Sequence, residues 1–188
     1  MIKTICICAI SMISLSTFAQ KAITINDALK TFGFTEQKVI SNSDTITYYL
    51  KNYTTKPKNL VVHIQGTDAF PLFFYKFNED GTAKLMKYFN DDYKRLDSTY
   101  AYAIIAKPGL SGIFNRDGFS IPSKYHKNNY REYRVNQIDL AIEDIKRNHL
   151  SNPEKIIVYG HSEGAQIGAA LARVNKSITH LGFWSGNV

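Results

Sequence analysis

The chain has 188 residues, of which 44% are hydrophobic and 21% are charged, and its formal net charge is +7. This length suits one domain, and the composition is that of a globular, soluble protein. The basic residues are scattered among acids and aromatics, which indicates a solvated basic surface and excludes a nucleic-acid partner.

The first residues have the pattern of a targeting segment. Residues 1–3 carry a positive charge, residues 5–15 form an apolar run, and residues 17–19 resemble a cleavage site. The pattern predicts a secretory signal peptide over residues 1–19 and a mature, secreted or periplasmic domain over residues 20–188. The alternative is an N-terminal membrane anchor, but the run is short for a span, so we expect no stable membrane span after cleavage.

Both cysteines of the chain, Cys6 and Cys8, fall inside the predicted signal peptide. Cleavage would therefore leave a mature domain without cysteine in an oxidising compartment. Disulfide bonds, a cysteine nucleophile and thiolate metal sites are all excluded from that domain.

The mature domain begins with a short helix and two strands. Asn26 is the predicted cap of a helix over residues 27–30, and Gly33 ends it. Residues 37–40 and 45–53 are predicted strands joined by a polar turn, which indicates an antiparallel hairpin at one edge of a sheet.

A nearly all-apolar strand over residues 59–64 follows, as in a parallel sheet buried on both faces, with His63 as a core histidine. A glycine turn, Gln65-Gly66-Thr67-Asp68, ends it. The aromatic stretch 70–77 is either core packing or the wall of an acyl or aromatic substrate pocket. After a turn at residues 78–81, Thr82 is the predicted cap of a helix. Its apolar face would comprise Leu85, Met86, Phe89, Tyr93 and Leu96.

Residues 101–106 are the next predicted buried strand, and residues 107–129 show no periodicity. Long segments of this kind at the carboxyl end of a strand are typically functional, so we expect this one to line or cover the site. The alternative is a disordered surface insertion. A helix over residues 131–150 is predicted from an apolar stripe, and a last strand from residues 177–184.

The most informative motif is Gly160-His161-Ser162-Glu163-Gly164, which lies between an apolar strand at residues 156–159 and a helical run of small residues. Strand, tight turn and helix together form the setting of a nucleophile elbow. A strained turn would project the Ser162 hydroxyl above the sheet, and glycines let strand and helix approach closely. The amide that follows the serine opens a helix and can point at an oxyanion.

From about residue 45 onward the chain resembles the α/β-hydrolase family, closest to secreted esterase-like or prolyl-oligopeptidase-like serine hydrolases. The resemblance implies a mostly parallel sheet with helices on both faces. It implies that Ser162 is the nucleophile and that the backbone amides of Glu163 and Thr67 bind the oxyanion. Gln65-Gly66 stands where many members carry His-Gly, and Gly66, Phe70 and Phe73 are the expected substrate-binding residues.

The same resemblance raises a difficulty, because the family order is serine, then acid, then histidine. Nothing after Trp184 can supply either group. His161 is expected to pack, and His180 to lie at the wrong end of the last strand. We therefore expect a chain that is incomplete at its C-terminus, as a truncated product, an incomplete gene model or a non-catalytic remnant.

Two hypotheses follow. The first is an exported serine hydrolase that cleaves an ester, thioester or peptide bond of a small molecule or peptide through an acyl-serine. The second is a non-catalytic secreted binding domain that retains the fold. The five histidines show no ligand spacing on one face, so no metal and no cofactor are expected. The oligomeric state stays open.

Overall fold

The computed structural model describes residues 23–41 and 44–185, so the predicted signal peptide lies outside the described residues. Those residues contain four α-helices and nine strands. In chain order they are α1 (Ile25–Phe32), β1 (Thr35–Ser41), β2 (Asp44–Lys51), β3 (Asn59–Ile64), β4 (Phe73–Phe77), β5 (Ala83–Lys87), β6 (Tyr100–Ile105), β7 (Ile113–Asn115), α2 (Ser123–Asn128), α3 (Arg131–Asn148), β8 (Lys155–His161), α4 (Glu163–Val174) and β9 (His180–Trp184).

The main sheet has six strands in the order β1-β2-β6-β3-β8-β9. β1 pairs antiparallel with β2, and β2 pairs antiparallel with β6, whereas β6, β3, β8 and β9 are mutually parallel. The predicted edge hairpin and the mostly parallel sheet are both confirmed. Because these parallel strands share one direction, β3, β6 and β8 all end at the same edge, where an open α/β sheet binds its ligands.

Each face of the sheet carries its own apolar core. On one face, α3 and α4 cover β3 and β8, which alternate their side chains between the two faces. The other face is covered by α1 and by a cluster rich in aromatic rings. The residues of that second cluster include Leu29, Phe34, Tyr49, Leu72, Phe73, Tyr93 and Tyr102.

The N-cap of the first helix lies two residues before the predicted one. Thr24, rather than Asn26, is the N-cap, because its hydroxyl accepts from the Asp27 amide while the Asp27 carboxylate accepts from the Thr24 amide. Gly33 ends the helix in the left-handed conformation (φ 72°), as the sequence predicts.

The predicted helix starting at Thr82 is wrong. The residues form instead β5, a short 3-10 helix at Asp92–Arg95 and irregular backbone. The turn at residues 78–81 closes a hairpin in which Phe74 faces Met86, and β5-β4-β7 form a second, three-stranded sheet. The helical spacing of Leu85 and Met86 was misleading because cross-strand pairing with an aromatic strand decides the structure of so short a segment.

The segment over residues 107–129 is more regular than its sequence indicates. It supplies β7, which pairs parallel with β4, and the short helix α2. It also crosses the carboxyl edge of the main sheet, where the Tyr125 hydroxyl donates to the Thr67 carbonyl (2.9 Å). The segment therefore contacts the turn that follows β3, in the region where the sequence predicts a site.

Candidate active site

Ser162 occupies a sharp turn between β8 and α4. Its backbone has φ 53° and ψ −122°, a conformation that residues with a side chain rarely adopt. The Ser162 amide donates to the Trp184 carbonyl (3.0 Å), so the end of β9 holds the turn from one side. This is the backbone geometry of a strand–elbow–helix unit, with the serine between the two elements.

Steric constraints explain why glycine occurs two residues before and two residues after Ser162. A Cβ atom at Gly160 would lie 2.6 Å from the Ala165 nitrogen and would also collide with the Gly164 carbonyl. At Gly164 it would lie 2.9 Å from the Gln65 carbonyl oxygen and would also collide with the Ile64 carbonyl. Only a residue without a side chain lets α4 begin this close to β8 and to the end of β3.

The turn after β3 lies directly against the serine. A Cβ atom at Gly66 would be 3.1 Å from the Ser162 Cβ atom and 3.1 Å from His161 Nδ1. Among the described residues, the backbone amides of Thr67 and Glu163 donate to no other protein group. Both predicted oxyanion donors are thus unengaged, on the two segments that meet at Ser162.

Three buried polar side chains that sequence reasoning missed surround this turn. Lys107, 2% exposed, donates to the carbonyls of Gly66 and Asp68, and Arg134 on α3 is 1% exposed. Tyr125 holds the Thr67 carbonyl. A signal existed for Arg134, because it lies four residues before Ile138, at a buried position of the stripe on α3.

Two buried cations, Lys107 and Arg134, lie within electrostatic reach of the Glu163 carboxylate at this edge of the sheet. Burial lowers the pKa of Arg134 to about 10, while Glu163 and Tyr125 oppose that shift. Within the described part of the chain, Arg134 Nε and Nη1 and Glu163 Oε2 have no hydrogen-bond partner. Cationic groups beside the elbow favour negative charge developing at the neighbouring oxyanion position.

A cavity of about 370 Å³ opens beside the elbow. His63, His161 and Trp184 are among its lining residues, and the tilted rings of His161 and Trp184 have centroids 5.1 Å apart. His63 is buried and its Nδ1 lies 2.6 Å from the Tyr102 hydroxyl, as expected of a core histidine. Burial, reinforced by the charges of His161 and Lys87, lowers the pKa of His63 to about 4, so its ring is neutral at pH 7.

A second cavity, of about 310 Å³, lies over the small sheet and shares Lys87 and Tyr88 with the first. Most of its lining residues are aromatic. Arg116 also lines the cavity, and its guanidinium carbon is 5.9 Å from the centroid of the Phe74 ring. The apolar lining residues are Phe70, Pro71, Phe74, Met86, Phe114 and Phe119. The stretch 70–77 therefore contributes residues to the lining of a cavity, and whether that cavity binds substrate stays a prediction.

The structure corrects one expected pocket residue. Phe70 is 43% exposed, lies with its ring tilted against that of Tyr88 (centroids 4.7 Å apart) and lines the second cavity. Phe73 is fully buried and packs edge-on against Tyr49 at 4.9 Å. Phe73 is a core residue because strand alternation in β4 turns it to the opposite face from Phe74.

No described histidine ring or carboxylate hydrogen-bonds to the Ser162 hydroxyl, although His161 is its neighbour in the chain. His180 pairs with Ile157, near the start of β8, and is therefore at the far end of the sheet from the elbow. In residues 23–41 and 44–185, no group of three potential ligands could hold a metal ion. The same residues include no helix long and apolar enough to cross a membrane.

Several solved protein structures are similar in fold to this chain. The esterase Pf2001 of Pyrococcus furiosus matches with a TM-score of 0.54 and 14% identity, over 84% of this chain and 53% of that chain. The dienelactone hydrolase-like promiscuous phosphotriesterase P91, from metagenomic libraries, matches at 0.52 and 16%, over 82% and 60%. A candidate lipase, Lip1, of Acinetobacter baumannii AYE matches at 0.51 and 16%, over 87% and 45%.

These similarities define the fold. The chain has the α/β-hydrolase fold, with Ser162 at the strand–helix turn of that fold. It spans about half the length of the solved proteins that it resembles. No protein-family model matches the chain. No curated protein sequence matches it either.

Proposed function

We propose that the protein is a serine hydrolase that cleaves an ester, thioester or peptide bond, with Ser162 as the nucleophile. The observation that carries the proposal is the strained Ser162 backbone at φ 53° and ψ −122°, directly beside Gly66. Strain of this kind persists where surrounding structure enforces it, and it concentrates at functional sites. Here the surrounding structure is the close backbone packing at Gly160 and Gly164, where a side chain would collide with neighbouring atoms.

The chemistry follows from what surrounds the hydroxyl. Ser162 Oγ attacks the carbonyl carbon, its proton passes to a general base, and the carbonyl oxygen becomes an oxyanion. The amides of Thr67 and Glu163 donate to that oxyanion, with the buried cations Lys107 and Arg134 nearby. Collapse of the intermediate expels the alcohol, thiol or amine, and water then releases the acyl group from the serine.

The two cavities indicate which part of the substrate each holds. The reacting carbonyl lies by Gly66, in the cavity that reaches the elbow, and an apolar acyl or aryl group extends toward Phe70 and Phe74. Apolar walls with a few polar groups at the rim are typical of small-molecule sites. We therefore expect small apolar esters to be better substrates than peptides.

The general base and its acid come from groups outside the described residues, because a serine hydroxyl without a base is a poor nucleophile at neutral pH. Export is the second part of the proposal. It rests on the signal-peptide pattern of residues 1–19, which implies a secreted or periplasmic enzyme.

A fluorophosphonate probe tests the role of Ser162. The hydroxyl oxygen displaces fluoride from phosphorus, so only an activated serine is labelled. We expect labelling of a chain that includes the proposed base and acid, and its loss in Ser162→Ala. Ser185→Ala is the matched control, because Ser185 is a second serine with positive φ (53°) and should leave labelling unchanged. Labelling that survives in Ser162→Ala would overturn the assignment.

One observation favours the alternative of a non-catalytic binding domain, namely the lack of a described base at the Ser162 hydroxyl. That alternative predicts a folded chain which is not labelled but still binds apolar ligands in the cavity lined by Phe70 and Phe74. A fluorescent apolar ligand that binds the wild type, binds Phe70→Ala more weakly, and does so in a chain that the fluorophosphonate does not label would favour the binding domain.

A further inference from the structure

A buried ammonium group lies behind the turn that follows β3. Lys107, directly after β6, is 2% exposed, and lysines are almost never buried this fully without partners. Its Nζ donates to the Asp68 carbonyl (2.8 Å) and to the Gly66 carbonyl. The ammonium therefore replaces its lost hydration with two backbone carbonyls of one short turn.

These contacts fix the direction of the amides as well as of the carbonyls. The described peptide bonds are trans, so the C=O and the N–H of one peptide unit point in opposite directions. The Gly66 carbonyl shares its peptide unit with the Thr67 amide, and the Asp68 carbonyl shares its unit with the Ala69 amide. With both carbonyls turned toward Lys107, the amides of Thr67 and Ala69 point away from it.

The middle peptide unit of the turn is held separately. The Thr67 carbonyl accepts from the Tyr125 hydroxyl (2.9 Å), and the Asn129 side-chain amide donates to that hydroxyl (3.0 Å). Two side chains from residues 107–129 thus engage three consecutive carbonyls. Gly66, at one end of the turn, lies against Ser162.

We propose that Lys107 is the positioning residue of the oxyanion hole: by holding the Gly66 and Asp68 carbonyls, it keeps the Thr67 amide directed at the oxyanion that forms beside Ser162. The inference rests on the proposed function for the role of Thr67, but the orientation of the turn is independent of it. A donor fixed in advance stabilises the transition state without reorganisation during the reaction.

The surroundings of Lys107 make this arrangement sensitive to pH. Burial lowers the pKa of Lys107 to about 8, and Arg134 on α3 acts in the same direction. Glu163 on α4 and Asp68 in the turn oppose the shift, and the ring of Tyr125 on α2 lies 5.8 Å from Nζ. The ammonium is charged at pH 7, and above about pH 8 a neutral amine would make weaker bonds to the two carbonyls.

Backbone amide NMR of the full chain tests the orientation without requiring activity. A charged donor on a carbonyl polarises the amide in the same peptide unit, so the Thr67 and Ala69 resonances should titrate together near pH 8. Lys107→Met should abolish that titration. Lys127→Met, which removes an exposed lysine from α2, should retain it. Thr67 and Ala69 resonances that are the same in the wild type and in Lys107→Met, or that still titrate in Lys107→Met, would overturn the proposal.

The rate of fluorophosphonate labelling tests the consequence for chemistry. Lys107→Met should slow labelling by about tenfold to a hundredfold at pH 7, short of the loss seen when an oxyanion donor is removed outright. Tyr125→Phe should slow it less, and it provides the same test if Lys107→Met does not fold. Equal rates in the wild type and in a folded variant would refute the positioning role.

The two experiments also separate this proposal from the proposed function. If the wild type is not labelled but the Thr67 and Ala69 amides titrate through Lys107, the assignment of Ser162 fails and the orientation of the turn stands. Suppose instead that the wild type is labelled, that Ser162→Ala is not, and that Lys107→Met leaves the Thr67 and Ala69 resonances unchanged. The assignment of Ser162 is then supported and the positioning role of Lys107 is refuted.

Discussion

The strained backbone of Ser162 leads to a prediction about stability that is independent of activity. A residue held at φ 53° and ψ −122° carries about 1–3 kcal/mol of conformational strain, from which glycine is largely free. Replacing Ser162 by glycine also costs about 0.5–1 kcal/mol, because the unfolded chain gains freedom. We therefore expect the free energy of unfolding of Ser162→Gly to exceed that of Ser162→Ala by up to about 2.5 kcal/mol.

The comparison with alanine isolates the strain, because both variants lack the hydroxyl and only alanine keeps a Cβ atom. Urea unfolding measures the difference directly, and thermal unfolding should show a shift of about 2–4 °C per kcal/mol for a chain of this size. Ser151, an exposed serine without positive φ, is the control site, and there the glycine variant should be the less stable one. A Ser162→Gly variant less stable than Ser162→Ala would refute the reasoning.

Three further predictions follow from packing and burial. Gly164→Ala should destabilise the fold by more than about 3 kcal/mol or prevent folding, whereas Gly118→Ala, with open space around it, should be nearly neutral in urea unfolding. Phe73→Ala should cost about 3–5 kcal/mol as a core substitution, and Phe70→Ala under about 1.5 kcal/mol; similar losses would contradict the division between core and pocket. His63 has an ordinary pKa of 6.5 when unfolded and about 4 when folded, so the unfolded state binds more protons between these values. Stability should therefore rise by up to about 3 kcal/mol from pH 4 to pH 6.5, and His63→Gln should lose that rise.

The elements that were predicted from sequence are those whose signal is local. β3 matches its prediction at both ends, because an apolar run bounded by turns needs no knowledge of distant partners. The elbow has the same property, since Gly160, Ser162 and Gly164 lie within five residues. Steric collisions at the two glycines give that spacing a physical cause.

The elements that were missed depend on distant pairing. β5 was predicted as part of a helix because Leu85 and Met86 fit a helical face, and only pairing with β4 makes the segment a strand. Lys107 and Tyr125 are ordinary surface residue types whose burial against the Gly66–Asp68 turn depends on how β3 and β6 align. A sequence pattern covers one strand or helix at a time, so it locates Ser162 at the strand–helix turn but not the side chains packed around that turn.

The proposed site therefore has a backbone part, which binds the oxyanion, and a side-chain part, which transfers the proton. The strained turn and the oxyanion amides are backbone features, fixed by Gly160, Gly164 and the carbonyl contacts of Lys107. Such features are preorganised before any substrate arrives, and they alone retain part of the catalysis when a base is removed from a related triad. Proton transfer from Ser162 requires a basic side chain instead, and that base would act beside the proposed oxyanion site, which is made of backbone groups.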